Sequence, residues 1–296
     1  MKRKILITGS QGQLGRDLVS VLSQKHTVTG IDIEDLDICD RDRTNALIGE
    51  AKPDIVIHTA AYTDVDSCES NRELAMRINV EGTENLALAV REIGARMIYY
   101  STDYVFDGTK DSPYIETDRP NPMTIYGRSK WEGEKRVIKN LADFLIIRIA
   151  WVYGKNGKNF VKTMLKLGRV QMENRIKKVE IVPLKVVNDQ FGSPTWTMAI
   201  VRQTELLLEK DLTGIVHGTS EGVATWYDFA RAIFEEAGME VDVRPCTTKE
   251  FLRPAPRPHF SVLENKCLKE AGFNLMPDWR NSLKEFFDIY REGIEI

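Results

Sequence analysis

The sequence has little cysteine and little histidine. Cys39, Cys68, Cys246 and Cys267 are spread over 296 residues with no C-x-x-C pair. That excludes a disulfide scaffold and reads as reduced, packed thiols in a cytoplasmic setting. His26, His58, His217 and His259 lie far apart, without H-E-x-x-H, so the spacing offers no metal site. No charge sign dominates. Lys and Arg number 41 against 44 Asp and Glu, a net charge of −3, which gives no electrostatic reason to hold a nucleic-acid backbone or an anionic membrane. Long apolar runs are missing too. The stretch Phe144 to Tyr153 is interrupted by Arg148 and falls short of the ~20 residues that span a bilayer. The apolar stretch behind the basic start at Lys2 is too short for a signal peptide. What is present is 42% hydrophobic and 29% charged residues, the balance of a globular protein whose length suggests two lobes.

Short β-branched runs alternate with helical patterns over the first half. Strands are expected at Lys4–Thr8, His26–Asp32, Ile55–His58, Arg96–Ser101 and Phe144–Ile149. Between them fall a helix with Leu14, Leu18, Val21 and Leu22 on one face, a long helix from Leu74 to Ile93, and one from Tyr126 to Asn140. This alternation predicts an α/β fold, a Rossmann-like doubly wound parallel sheet. After Tyr153 the rhythm changes. A helix is expected over Phe160–Gly168, followed by a basic stretch (Arg169, Arg175, Lys177, Lys178) read as a solvated face. An amphipathic helix follows at Trp226–Gly238, a proline-broken loop at Arg253–Pro258, and a last helix at Asn281–Tyr290. The expected division is a dinucleotide-binding domain over 1–153, with 186–212 returning to it, and a smaller C-terminal substrate-binding lobe made of 154–185 and 213–296.

Three motifs carry chemistry. Gly9-Ser10-Gln11-Gly12-Gln13-Leu14-Gly15 lies between the first strand and the first helix. Glycines there allow a tight turn and close backbone approach to a pyrophosphate at the helix N-terminus. Asp32, twenty residues after Gly12, stands where an acid meets the adenosine ribose hydroxyls. Arg16, just behind Gly15, opposes it by attracting a 2′-phosphate. Tyr126 and Lys130 are four residues apart and share one helix face. An ammonium near a phenol lowers its pKa and makes it a better proton donor at neutral pH. Ser101-Thr102-Asp103-Tyr104 ends a strand, where α/β sheets place their sites, and Thr102 can donate to a substrate oxygen. Gly218-Thr219-Ser220-Glu221-Gly222 matches the G-x-S-x-G of serine hydrolases. Val223 to Thr225 separate it from the next helix, and the sole later histidine, His259, adjoins the proline-rich loop, so a nucleophile elbow is excluded.

Taken together, these residues resemble the extended short-chain dehydrogenase/reductase family. The resemblance also rests on Thr59-Ala60-Ala61-Tyr62-Thr63-Asp64-Val65-Asp66, Ser101 to Gly108, Ala150 to Gly154, Asn188 to Thr195, Thr225 to Phe229 and Arg257 to Ser261. It is nearest to members that act on dTDP-sugars. It implies hydride transfer from NADPH or NADH to C4 of dTDP-4-dehydro-β-L-rhamnose, giving dTDP-β-L-rhamnose. Tyr126 would protonate O4, Lys130 would hold the nicotinamide ribose, and Thr102 would hydrogen-bond O4. Gly9, Gln11, Gly12, Gln13, Leu14, Gly15 and Asp32 would bind the cofactor. Thr59, Ala60, Ala61 and Tyr62 would line it near the nicotinamide, and Asp37 and Ile38 near adenine. Val65, Asp103, Tyr104 and Trp151 would touch the sugar, and Arg257 the diphosphate. Some members form homodimers through a magnesium ion. Asp17 fits one expected ligand position, but Met198 occupies the other, and a thioether is a poor magnesium ligand, so no metal is expected. Two alternatives stand beside this reading: another sugar-nucleotide reductase or epimerase, and a catalytically silent NADP-binding regulatory subunit. The intact Thr102, Tyr126 and Lys130 speak against silence.

Overall fold

The computed structural model describes residues 2–177 and 180–290. Lys178, expected on the solvated basic face, and residues 291–296 of the expected lobe lie outside them. The N-terminal half runs β1 (Lys4–Thr8), α1 (Gln13–Leu22), β2 (Thr27–Ile31), α2 (Arg41–Ala51), β3 (Ile55–His58), α3 (Val65–Ser70), α4 (Arg72–Met76), α5 (Thr83–Ile93), β4 (Arg96–Thr102), α6 (Ile125–Asn140) and β5 (Phe144–Ile149). It continues with β6 (Val152–Tyr153), α7 (Phe160–Ile176), β7 (Leu184–Val187), β8 (Phe191–Gly192), β9 (Thr195–Trp196), α8 (Thr197–Leu208) and β10 (Gly214–His217). The chain ends with β11 (Ala224–Thr225), α9 (Trp226–Glu236), β12 (Val243–Cys246), α10 (Lys266–Glu270) and α11 (Trp279–Tyr290).

Six strands form one parallel sheet in the order β10-β5-β4-β3-β1-β2. The central strands are buried on both faces, which is why they read as unbroken apolar runs. Leu6, Val56, Met97 and Ile146 face one core; Ile5, Ile7, Ile55, Ile57, Ile98 and Ile147 face the other. The chain doubles back from edge strand β2 past β1 to β3, so the topological switch lies between β1 and β3, and ligands bind outside such a crevice. Among the described residues, no helix is long and apolar enough to cross a membrane.

Four expectations shift in detail. The long helix begins at Arg72 and widens into a π turn over Arg77–Gly82 before α5 resumes. Helix α7 runs on to Ile176, so Arg169 and Arg175 are helical, on its exposed side. Strand β10, expected in the lobe, instead pairs with β5 at the edge of the main sheet. Strand β7, expected to return to that sheet, pairs with β12 outside it. A four-residue apolar strand carries no mark of which edge it will join, because burial and not pattern decides the partner.

Candidate active site

A cavity of about 760 Å³ lies outside the carboxyl ends of β1 to β5, with walls reaching from Thr8 and the glycine turn to Ile149 and Trp151. The turn forms one side. Gly9 has φ +67°, and the N–H of Gly12 donates to its carbonyl at 3.0 Å. A Cβ on Gly15 would collide with that carbonyl oxygen, so α1 can start this close to β1 only with glycine there. Gly12 caps α1 without a side-chain acceptor, and no acid occupies its first turn. The free N–H groups and the helix dipole therefore suit an anion. Gln11, Gln13 and Leu14 complete this wall.

Asp32, one residue past β2, ties the turn to the second strand. It accepts from the N–H of Gln11 at 2.7 Å and from that of Ile33 at 2.8 Å. Arg16 reaches the same segment from α1, donating Nε to the Gln11 carbonyl at 2.9 Å. Asp37 and Ile38 also line the cavity. The Asp37 carboxyl is held below its ordinary range by the N–H of Cys39 and by Arg77, whose guanidinium lies at 2.8 Å. Thr59, Ala60 and Ala61 form the floor after β3, with the Thr59 hydroxyl donating to the Thr8 carbonyl at 2.7 Å. Tyr62 is not among the cavity walls. Its backbone is engaged instead, since its N–H donates to Asn79 Oδ1 at 2.8 Å and its carbonyl accepts from Asn79 Nδ2 at 3.0 Å.

Thr102, Tyr126 and Lys130 line the same cavity. Thr102 ends β4, and its hydroxyl donates to Asp103 Oδ1 at 3.0 Å while accepting from the N–H of Tyr104 at 3.2 Å. Tyr126 lies in the first turn of α6, which Thr124 caps by accepting from the N–H of Gly127 at 2.9 Å. A Cβ on Gly127 would strike the Tyr104 carbonyl. Glycine therefore lets α6 press against the turn that carries Asp103 and Tyr104. The Tyr104 and Tyr126 rings meet edge to face at 5.7 Å.

Burial dominates the electrostatics. It pushes the Tyr126 phenol above its ordinary value, and the Thr102 hydroxyl is the influence that draws it back. It pushes Asp103 up to about 6 and Lys130 down to about 7, with the Glu134 charge opposing the latter. Burial outweighs the lowering expected from Lys130, so the Tyr126 phenol lies above and not below its ordinary value. Lys130 Nζ sits 4.1 Å from the centroid of the Tyr99 ring, and its own burial weakens its charge near neutral pH. His58 stacks on the same ring at 5.3 Å and is held neutral, at about 3, by burial and by the Lys130 charge.

On the substrate side, Val65, Asp103, Tyr104 and Trp151 line the cavity. Arg257 does not. Its guanidinium donates to Asp66 Oδ1 at 2.9 Å and to the Ala255 carbonyl at 3.1 Å. Burial pushes the Tyr104 phenol up, and the Arg257 charge partly opposes that shift. Sequence reasoning missed three residues. Lys158 lines the cavity from a loop without a motif. Tyr99 had no signal beyond a buried strand position. Asn79, in the π turn, donates to Ser129 Oγ at 2.9 Å and so couples the 59–62 segment to α6; wide turns of this kind recur at functional sites. Asp17 accepts from Asn156 Nδ2 at 2.8 Å, and Met198 packs against the apolar core. Among the described residues, no group of three or more His, Cys, Asp or Glu could hold a metal ion.

The model of the RmlD substrate binding domain matches residues 3–292. The chain belongs to the RmlD substrate-binding domain family. The spore coat polysaccharide biosynthesis protein SpsK of Bacillus subtilis is 40% identical over 96% of this chain and 96% of its own. A dTDP-4-dehydrorhamnose reductase from Clostridium acetobutylicum superposes with a TM-score of 0.91 at 44% identity, over 97% of this chain and 99% of that one. The Bacillus anthracis dTDP-4-dehydrorhamnose reductase, solved with NADP, gives 0.92 at 39%, over 98% and 100%. In this RmlD-family chain the glycine turn and the Thr102–Tyr126–Lys130 group thus open onto one cavity.

Proposed function

We propose that this chain reduces the C4 keto group of dTDP-4-dehydro-β-L-rhamnose to dTDP-β-L-rhamnose, using NADPH or NADH, in the cytoplasm. One observation carries the reading. The anion-suited glycine turn and the Thr102, Tyr126 and Lys130 side chains line a single cavity. The names of the two superposing reductases support the same substrate.

The open first turn of α1, the tight packing at Gly9 and Gly15, and Asp32 beside them fit a dinucleotide. When bound, the reduced nicotinamide supplies the hydride to C4. Tyr126 supplies the proton to O4, its high phenol pKa keeping that proton in place until charge develops on the oxygen. Thr102 turns its hydroxyl from Asp103 toward O4 and stabilises that charge. Lys130 holds ribose hydroxyls from the floor of the site. Asp103, Tyr104, Val65 and Trp151 border the sugar, and Arg257 exchanges Asp66 for a diphosphate oxygen. Lys158 is a second cation for a phosphate at the mouth. For the chain as a whole we assign the sheet through β10 and α8 to the dinucleotide half and the β7–β12 and α9 region to the substrate lobe. Any homodimer should form without a bridging metal, so chelator treatment should leave the solution mass unchanged.

The test is oxidation of NADPH and NADH by dTDP-4-dehydrorhamnose. Tyr126→Phe lowers kcat by ~10²–10⁴-fold, the usual worth of a general acid, with NADPH affinity retained. Turnover by Tyr126→Phe near that of the unchanged protein would refute the assignment. NADPH binding without turnover of any dTDP-4-keto sugar would favour the silent regulatory reading.

A further inference from the structure

Trp151 follows β5 in a left-handed backbone conformation, φ +46°. A bulky L-residue persists there only where its surroundings over-determine it. Those surroundings hold both faces of its indole. On one face lies Trp226, the first residue of α9, parallel within 5° at a centroid distance of 3.6 Å. On the other lies Gly192. A Cβ built there would meet Trp151 Cε2 first and then Nε1 and Cζ2. The nearest of these three is the fused ring atom, which marks an approach over the ring face rather than along its rim. Any side chain at 192 would displace the indole.

Trp226 is itself fixed. Its Nε1 donates to Gln190 Oε1 at 3.2 Å, and Gln190 Nε2 donates to Thr248 Oγ1 at 2.9 Å. Phe160, at the start of α7, packs on the Trp226 ring at 4.7 Å. A reciprocal capping box between Thr225 and Asp228 sets the first turn of α9. Neither Trp226, Gly192 nor Gln190 lines the cavity, whereas Trp151 does, beside Tyr104 and Tyr126. With both faces taken, the indole has only its rim to offer a ligand.

We infer that Trp226 and Gly192 clamp the Trp151 indole edge-on against the sugar, making Trp226 a positioning residue and the clamp a determinant of which 4-keto sugars fit. The inference rests on the reading of this cavity as a sugar-nucleotide site. An edge-on indole is a thin, rigid wall. Its position is set by the segments that carry Phe160, Gln190 and Gly192, and Trp226, and a change in the stack moves the wall without touching the proton donor or the glycine turn.

The test uses Trp226→Leu, Trp226→Phe and Gly192→Ala. The readouts are dTDP-rhamnose affinity by calorimetry, NADPH affinity by fluorescence, melting temperature, and the far-ultraviolet exciton couplet of two parallel indoles. Trp226→Leu is expected to lose the couplet and to weaken dTDP-rhamnose binding about tenfold, or ~1.4 kcal/mol, with NADPH affinity unchanged. Trp226→Phe restores a ring face and returns dTDP-rhamnose affinity to within about threefold of the original. Gly192→Ala is expected to weaken dTDP-rhamnose as Trp226→Leu does. Unchanged dTDP-rhamnose affinity in Trp226→Leu despite loss of the couplet overturns the clamp. Equal loss of NADPH and dTDP-rhamnose binding, with a lowered melting temperature, also overturns it, because that is the signature of structural damage alone. Failure of the unaltered protein to bind dTDP-rhamnose overturns the functional reading instead, and the sugar role of the clamp with it.

Discussion

Replacing Lys130 by methionine should make the protein more stable while removing its activity. Lys130 is buried, 4% exposed, and burial moves its ammonium from 10.5 to about 7. In the unfolded chain the amine keeps its proton up to pH 10.5; in the folded protein it gives it up near pH 7. Below about 7 both states carry the proton, and the folded state bears the full cost of the buried charge. Between about 7 and 10.5 the folded protein has shed the proton and the unfolded chain still binds it, so stability rises with pH. Above 10.5 the difference is gone. At ~1.36 kcal/mol per pH unit the cost at neutral pH is about 3–5 kcal/mol, after the partial offset supplied by the Glu134 charge. Methionine keeps the length and volume and removes the charge. Urea unfolding of cofactor-free protein near pH 6 should therefore show Lys130→Met more stable by about 3–5 kcal/mol, with the advantage shrinking steadily toward about pH 10. A variant no more stable than the original near pH 6, or an advantage indifferent to pH, would refute the reasoning. It would mean that Tyr99 and Glu134 together solvate the ammonium as well as water does.

Asp32→Ala should shift kcat/KM toward NADPH, because a carboxylate that repels a 2′-phosphate is gone, and Arg16→Ala should shift it toward NADH. The unaltered protein, with the two charges opposed on either side of Gln11, should discriminate by no more than about tenfold, ~1.4 kcal/mol. Steady-state kinetics with both cofactors check this, and a strong preference indifferent to both changes would sink it. Arg148→Met leaves Glu134 charged in a site where both partners are within 2% of full burial. It should cost about 3–5 kcal/mol in urea unfolding, whereas the double variant Glu134→Gln/Arg148→Met should recover most of that.

Much of this protein was legible along the chain. The apolar runs at Lys4–Thr8, Ile55–His58 and Phe144–Ile149 became central strands because no other element lets such a short run bury both faces. Gly9 to Gly15 was readable as a tight turn because it lies directly between a strand and a helix. Tyr126 and Lys130 were readable as a pair because helical spacing alone puts them on one face. These are local properties, set by residues within one or two turns of each other. The tertiary structure decided whatever depends on partners distant in sequence. It placed β10 on the main sheet and β7 off it, set Lys130 on the face of Tyr99, and drew Arg257 to Asp66. It also reversed the expected electrostatics. Sequence spacing predicts an ammonium that lowers a phenol, but burial raises Tyr126 and lowers Lys130 to about 7. Desolvation is fixed by everything packed around a group, and no stretch of sequence around residue 126 or 130 records that environment.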